Sequence, residues 1–114
     1  MIVNRTWCLP PLDERALNDL HNSIVKAVVS TPSSGVQSER DMLNLFPSDM
    51  MSYGLGDEVY VEIMHLPERM QPFERRMLGD LVRTAVCDAL ERSGKTRPNV
   101  QLFISATHPD DIVM

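Results

Sequence analysis

No part of this chain approaches the roughly 20 consecutive apolar residues that a membrane-spanning helix needs. No basic region followed by an apolar run stands near Met1, so the sequence gives no secretory signal and, by default, predicts a cytoplasmic protein. Cysteine is scarce. Cys8 and Cys87 are too few for a disulfide framework, and both fall inside expected strand or helix, where they read as buried free thiols. Basic charge is in deficit, with 11 Lys and Arg against 16 Asp and Glu, a net charge of −5. Such a surface repels polyphosphate, which argues against a nucleic-acid partner. Metal-ligand spacing is missing too: Pro67 lies between His65 and Glu68, His21 has no second ligand one helical turn on, and His108 sits in the tail. Gly54-Leu55-Gly56 lacks the rest of a phosphate loop, and there is no nucleophile elbow, so neither metal nor cofactor is expected.

What the chain does have is a pattern read twice. Ile2-Val3-Asn4-Arg5-Thr6-Trp7-Cys8-Leu9 is strand-like and closes on Pro10, and an amphipathic segment follows from about Leu12 to Thr31. Fifty-seven residues on, Val59-Tyr60-Val61-Glu62-Ile63-Met64-His65-Leu66 closes on Pro67, and a second amphipathic segment follows. The 114 residues suit one domain, 1–114, built from half-repeats 1–57 and 58–114.

Leu17, Leu20, Ile24, Ala27 and Val28 form one helical stripe, preceded by Pro10-Pro11 and Asp13-Glu14 and ended by Thr31-Pro32-Ser33-Ser34-Gly35. In the second half Phe73, Met77, Leu81, Ala85 and Ala89 follow one line, which Leu78, Val82 and Val86 widen. Pro72 suits the first turn and Gly94 the residue past the end. Met42 to Phe46 and Val100 to Ser105 read as closing strands. Between them, Ser48 to Gly56 reads as a loop of a length uncommon unless it binds something or packs on a neighbour.

The sum is β-α-β, loop, β-α-β: an α/β, or α+β, two-layer domain with a four-stranded sheet and two helices on one face. Two topologies satisfy it. Parallel βαβ units can pair antiparallel, or the strands of the two halves can interleave in a ferredoxin-like sheet. In either case the second sheet face lacks helices. Alternation sends Val59, Val61, Ile63, Val100, Leu102 and Ile104 inward and leaves Tyr60, Glu62, Met64, Gln101, Phe103 and Ser105 outside. That mixed face predicts a homo-oligomer.

Two βαβ halves in a chain of this length resemble the tautomerase superfamily, which includes macrophage migration inhibitory factor and fused 4-oxalocrotonate tautomerase units. The stretch Asp41-Met42-Leu43-Asn44-Leu45-Phe46-Pro47-Ser48-Asp49-Met50-Met51-Ser52-Tyr53-Gly54-Leu55-Gly56-Asp57-Glu58 is similar to the central segment of tautomerase-like proteins. The resemblance implies a trimer with sheets facing inward, and sites at subunit boundaries near strand starts. It also implies an N-terminal proline acting as general base in keto–enol tautomerisation. Here residue 2 is Ile2 and the first proline is Pro10, so the corresponding group is the primary α-amine of Met1. Such an amine titrates near ~8 and can serve as a base.

Arginines near the strand-to-helix turn would hold a substrate carboxylate. By the resemblance these are Arg15, one helical turn late in the first half, and Arg69 and Arg75 in the second, with Arg76 beside them. The competing reading pairs Arg69 with Glu68, and Arg75 or Arg76 with Glu74 and Asp80. Tyr53 offers a phenol to a pocket or anchors its loop. Asp49 is a turn acceptor or a base, Arg40 an intersubunit ion-pair partner or a substrate contact, and Met50-Met51 adaptable packing. The expected function is a tautomerase-like protein that binds a small carboxylate-bearing oxo acid in a subunit-interface pocket, with isomerase activity through Met1. A non-catalytic oligomeric binding module on the same scaffold and a ferredoxin-like ligand-sensing domain are the alternatives.

Overall fold

The computed structural model describes residues 1–47 and 58–106. Strand β1 spans Ile2–Trp7, helix α1 Glu14–Val29 and strand β2 Met42–Leu45. Strand β3 then spans Glu58–Leu66, helix α2 Pro72–Arg92 and strand β4 Asn99–Ala106. Short 3-10 turns at Pro32–Ser34 and Glu39–Asp41 carry the chain from α1 to β2.

The strand order is β2-β1-β3-β4. β1 runs parallel to β2, β3 parallel to β4, and β1 antiparallel to β3. Each βαβ unit therefore keeps its own pair of strands, and the interleaved ferredoxin-like arrangement is not the one formed. In the register Asn4 stands between Asn44 and Ile63, and Glu62 between Arg5 and Phe103.

α1 starts where the sequence expects. Asp13 is its N-cap, its carboxylate accepting from the Ala16 N–H at 2.8 Å, and so satisfies a donor the helix cannot. Leu20, Ile24, Ala27 and Val28 are buried, as their spacing implies. α2 begins with Pro72 and ends before Gly94, which takes a left-handed φ of 80°.

The expected stripe of α2 holds only in its C-terminal half. Phe73, Met77 and Leu81 lie on the exposed side, and Leu78, Val82, Val86, Ala89 and Leu90 face the core. Gly79 lies on the inward side, where α2 passes close to β4: a Cβ there would stand 2.8 Å from the Ile104 Cδ1, which would have to shift. Burying Leu78, Val82, Val86 and Leu90 contributes about 1.5–3 kcal/mol each at the usual apolar rate.

Both helices cover one face of the sheet. Val59, Val61, Ile63 and Val100 point into the core, while Tyr60 and Phe103 stack on the other face with ring centroids 4.8 Å apart. On that outer face Leu43, Leu45 and Phe103 are exposed, and the Trp7 indole N–H donates to the Glu62 carboxylate. Among the described residues no helix is long and apolar enough to cross a membrane.

The inward face of β1 is largely polar. Its buried positions are Ile2, Asn4 and Thr6, and both polar side chains have no exposed surface. They remain inside because Asn4 donates to the Asn44 carbonyl oxygen at 2.9 Å and to the Thr6 hydroxyl at 3.3 Å. Cys87 is buried and Cys8 half-buried; both are free thiols.

Candidate functional site

The start of β1, the end of β3 and the turn before β2 meet at an open cleft of about 370 Å³. Met1 and Ile2 form one wall, His65, Pro67 and Arg69 a second, and Ser34, Gly35, Val36 and Asp41 a third. Antiparallel pairing explains the meeting. Val3 is opposite Met64, so the first residues of β1 necessarily lie beside the strand-to-helix turn of the other half.

Arg69 sits in that turn, ahead of α2, and its guanidinium lies against Gly35. A Cβ at Gly35 would come within 3.0 Å of the Arg69 Nη2, and Gly35 has a φ of 75°, which a side chain would strain. The ion pairs proposed for the arginine cluster do not form among the described residues. Asp80 pairs with Arg83 at 3.3 Å, and no described ion pair includes Arg69, Arg75 or Arg76. Glu74 is committed to capping, accepting from the Gln71 N–H at 2.8 Å. That bond, with smaller pulls from Ser33 and Arg69, holds its carboxyl below the usual value. Arg69 is thus available in the cleft.

Asp41 has a structural duty. Its Oδ2 accepts from the N–H groups of Gln37 and Ser38 at 3.0 and 3.3 Å, which fixes the turn that walls the cleft. His65 has a φ of 64° at an irregularity in the β3–β4 register. Cys8, 57 positions earlier in sequence, has the same φ, and each is followed by Leu-Pro. The doubling therefore extends to a left-handed backbone that is uncommon for side-chain-bearing residues. Cys8 opens on a different cleft, of about 310 Å³, lined with Leu9, Leu12, Leu17, Phe46 and Pro47.

Of the expected site residues, Met1 and Arg69 come together. Arg15 does not join them: it lines a cleft of about 470 Å³ between the start of α1 and the end of α2, with Asp13, Asp19 and Arg92. Arg92 already bridges to Asp19 at 3.1 Å, so that cleft has little net charge to offer an anion. Arg75 is half-buried in α2 and does not line the Met1 cleft. Tyr53 and Asp49, with the whole Ser48 to Gly56 loop expected to bind or pack, lie outside the described residues. Arg40 is exposed and enters none of the described ion pairs. Among the described residues no group of His, Cys, Asp and Glu is arranged to hold a metal.

Sequence reading placed Gly35 only in the stretch that ends α1 and weighed His21 only as a metal ligand, so neither was expected at a site. The His21 ring bridges Asn44 and Glu39 at 3.1 and 2.9 Å, and so connects the core amides to the cleft wall.

No family model and no curated protein matches the sequence. Solved structures do. A fused 4-OT asymmetric trimer superposes with a TM-score of 0.78 at 12% identity, over 98% of this chain and 91% of that one. Macrophage migration inhibitory factor of Toxoplasma gondii gives 0.68 at 14%, over 98% and 95%. Malonate semialdehyde decarboxylase gives 0.61 at 15%, over 96% and 88%. The chain has the tautomerase-superfamily fold.

Proposed function

We propose that the Met1 cleft binds a small oxo acid, with Arg69 holding its carboxylate, and that the Met1 α-amine moves a proton between carbon and oxygen in a keto–enol tautomerisation. The observation that supports this most is the shared cleft: Met1 and an arginine outside every described ion pair line the same cavity, although 68 positions separate them. A guanidinium fork matches a carboxylate in shape and charge, and fixes the ligand so that the base meets one carbon. In its neutral form the amine has the lone pair a base requires, and a secondary amine is not needed for that step.

We further propose a homotrimer in the cytoplasm, whose inward sheet faces bury Leu43, Leu45 and Phe103 and whose subunit boundary completes the cleft. Three of the matched structures are fused 4-OT trimers. An outer sheet face carrying those exposed apolar groups suits such burial.

The test is phenylpyruvate ketonisation by intact protein whose first residue is confirmed by mass spectrometry. Turnover lost both on carbamylating the amino terminus and in Arg69→Ala supports the reading. A clean, folded protein that binds phenylpyruvate without turnover points instead to the non-catalytic binding module. Absence of both binding and turnover overturns the assignment of the cleft to this ligand.

A further inference from the structure

A single chain of side-chain hydrogen bonds runs from the protein surface to the middle of β1. The exposed Glu39 carboxylate meets His21 Nε2 at 2.9 Å, and His21 Nδ1 meets the Asn44 amide nitrogen at 3.1 Å. Asn44 Oδ1 accepts from Asn4 at 2.9 Å, and Asn4 donates again to Thr6 at 3.3 Å. Asn4 and Thr6 have no exposed surface, and the Asn4 carbonyl oxygen is buried without a hydrogen-bond partner among the described residues. Four elements are joined this way: β1, which begins at the cleft; β2; α1, which carries His21; and the Glu39–Asp41 turn, which supplies Asp41 to the cleft wall.

The turn is anchored at its ends by the buried Val36 and Met42, the latter paired with Ile2. Its other side-chain bonds, from Asp41 to Gln37 and Ser38 and from Ser38 to Arg40, are all internal to residues 37–41. Among the described residues, Glu39–His21 is the one side-chain hydrogen bond that leaves this segment.

The donor directions follow from the orientation of Asn44. With its NH₂ toward the ring, His21 Nδ1 accepts, and a neutral ring carries its proton on Nε2, facing Glu39. Protonating the ring places an N–H on Nδ1, opposite the Asn44 NH₂. Two donors then face each other, unless Asn44 turns its oxygen toward the ring. Turning Asn44 puts its NH₂ toward Asn4, and Asn4 must turn as well, accepting from Asn44 and from the Thr6 hydroxyl. The reversed chain makes the same number of bonds and leaves the Asn4 nitrogen, not its oxygen, without a partner. Each state leaves one Asn4 polar atom unpaired, so the chain can run in either direction with the same bond count.

We infer that His21 is a positioning residue for the Met1 cleft, and that its protonation reverses the hydrogen-bond chain through Asn44 and Asn4 to Thr6. Glu39 is the charged group bonded to the ring. The other charges on its turn are Arg40 and Asp41, of which Asp41 is directed to the Gln37 and Ser38 amides. On α1, Asp19 is paired with Arg92 of α2, and Lys26 lies in the last turn. β1 and β2 bring only Asn4, Thr6 and Asn44 to the chain.

The bond reversal rests on geometry alone; its effect on a ligand rests on the function proposed for the cleft. The closing experiment follows the Asn4 and Asn44 side-chain amide signals of the full chain by NMR between about pH 5 and 8, the range where histidine titrates. In the wild type both should shift with the same midpoint as the His21 ring. His21→Gln, which can still accept from Asn44 and donate to Glu39, should keep amide-exchange protection of residues 37–41 and abolish the pH dependence. His21→Ala should lose that protection several-fold while β3 and β4 stay protected. An Asn4 signal that stays constant while His21 titrates overturns the reversal, and unchanged exchange at 37–41 in His21→Ala overturns the positioning role. Phenylpyruvate affinity is a separate arm: it should weaken in His21→Ala and recover in His21→Gln. If phenylpyruvate binds no variant, including the wild type, the ligand reading of the cleft fails while the amide signals still decide the chain.

Discussion

Arg69 and Gly35 fit together so closely that a Cβ on Gly35 would lie 3.0 Å from the Arg69 Nη2. The contact joins the turn before α2 to the turn after α1, and these are two walls of the Met1 cleft. Gly35→Ala should therefore act twice. The left-handed φ of 75° costs an L side chain roughly 1–2 kcal/mol, read as a lower urea midpoint. Displacing the guanidinium should also weaken phenylpyruvate binding several-fold. Gly94→Ala is the matched control, because Gly94 has a φ of 80° with nothing within 4 Å of its added Cβ. It should show the stability loss alone, and equal ligand effects in the two variants would dissociate Gly35 from the cleft.

Asn4 is the most consequential polar group in the core. Asn4→Ala removes the donor to Asn44 and Thr6, which strands acceptors in a dry site and costs about 1–3 kcal/mol. Once Asn44 is already alanine, the same change should cost less, because one stranded acceptor is gone. Chemical denaturation of the two single variants and the double variant measures the difference, expected at about 1 kcal/mol of coupling. Strict additivity would mean the bond adds nothing to stability.

How much of this was legible in the sequence depends on what each feature is made of. Strands and helices declared themselves through apolar spacing, because burial of one face imposes a period, and the Asp13 cap and Pro72 start are local chemistry. The facing of α2 was not legible: Phe73-Met77-Leu81 and Leu78-Val82-Val86 are adjacent stripes of similar apolarity, and the close approach of α2 to β4 at Gly79 is a tertiary contact that neither stripe encodes. Topology needed strand pairing, which no single-strand periodicity encodes. In the cleft, Arg69 could be anticipated from the turn that carries it. Its seat on Gly35 and the release of Arg69 from Glu68 could not, since both are set by contacts between distant segments. The role of Asn4 and Thr6 was not legible either, because Asn44, the partner of Asn4, and His21, the partner of Asn44, lie on other elements.

Glu74 gives a pH-dependent prediction. Its folded carboxyl titrates below the ordinary value near 4.5, first because it accepts the Gln71 N–H, then through Ser33 and Arg69. A lowered folded value favours the folded state above the unfolded pKa, and the benefit fades as pH falls through the folded one. The stability gap between wild type and Glu74→Ala should thus be complete at neutral pH and narrow in acid. Urea midpoints at pH 7 and at about pH 3 test it, and a gap that persists unchanged in acid would assign the effect to contacts of the uncharged side chain instead.

Phe103 tests the assembly. It stacks on Tyr60 with 25° between the rings and keeps 57% of its surface exposed, beside Glu62 in the register of the outer sheet face. In a monomer, Phe103→Asp loses only the aromatic pair, worth about 0.5–1.5 kcal/mol, and the fold should survive. In a trimer closed through that face, the same change buries a carboxylate in each subunit, close to its own Glu62. Charge brought into a desolvated interface without a partner is strongly unfavourable. Light scattering coupled to size exclusion should show the wild type at three times the mass of the folded Phe103→Asp variant. Equal masses for the two would place the subunit contact elsewhere, and the exposed Phe73, Met77 and Leu81 of α2 would be the next surface to alter.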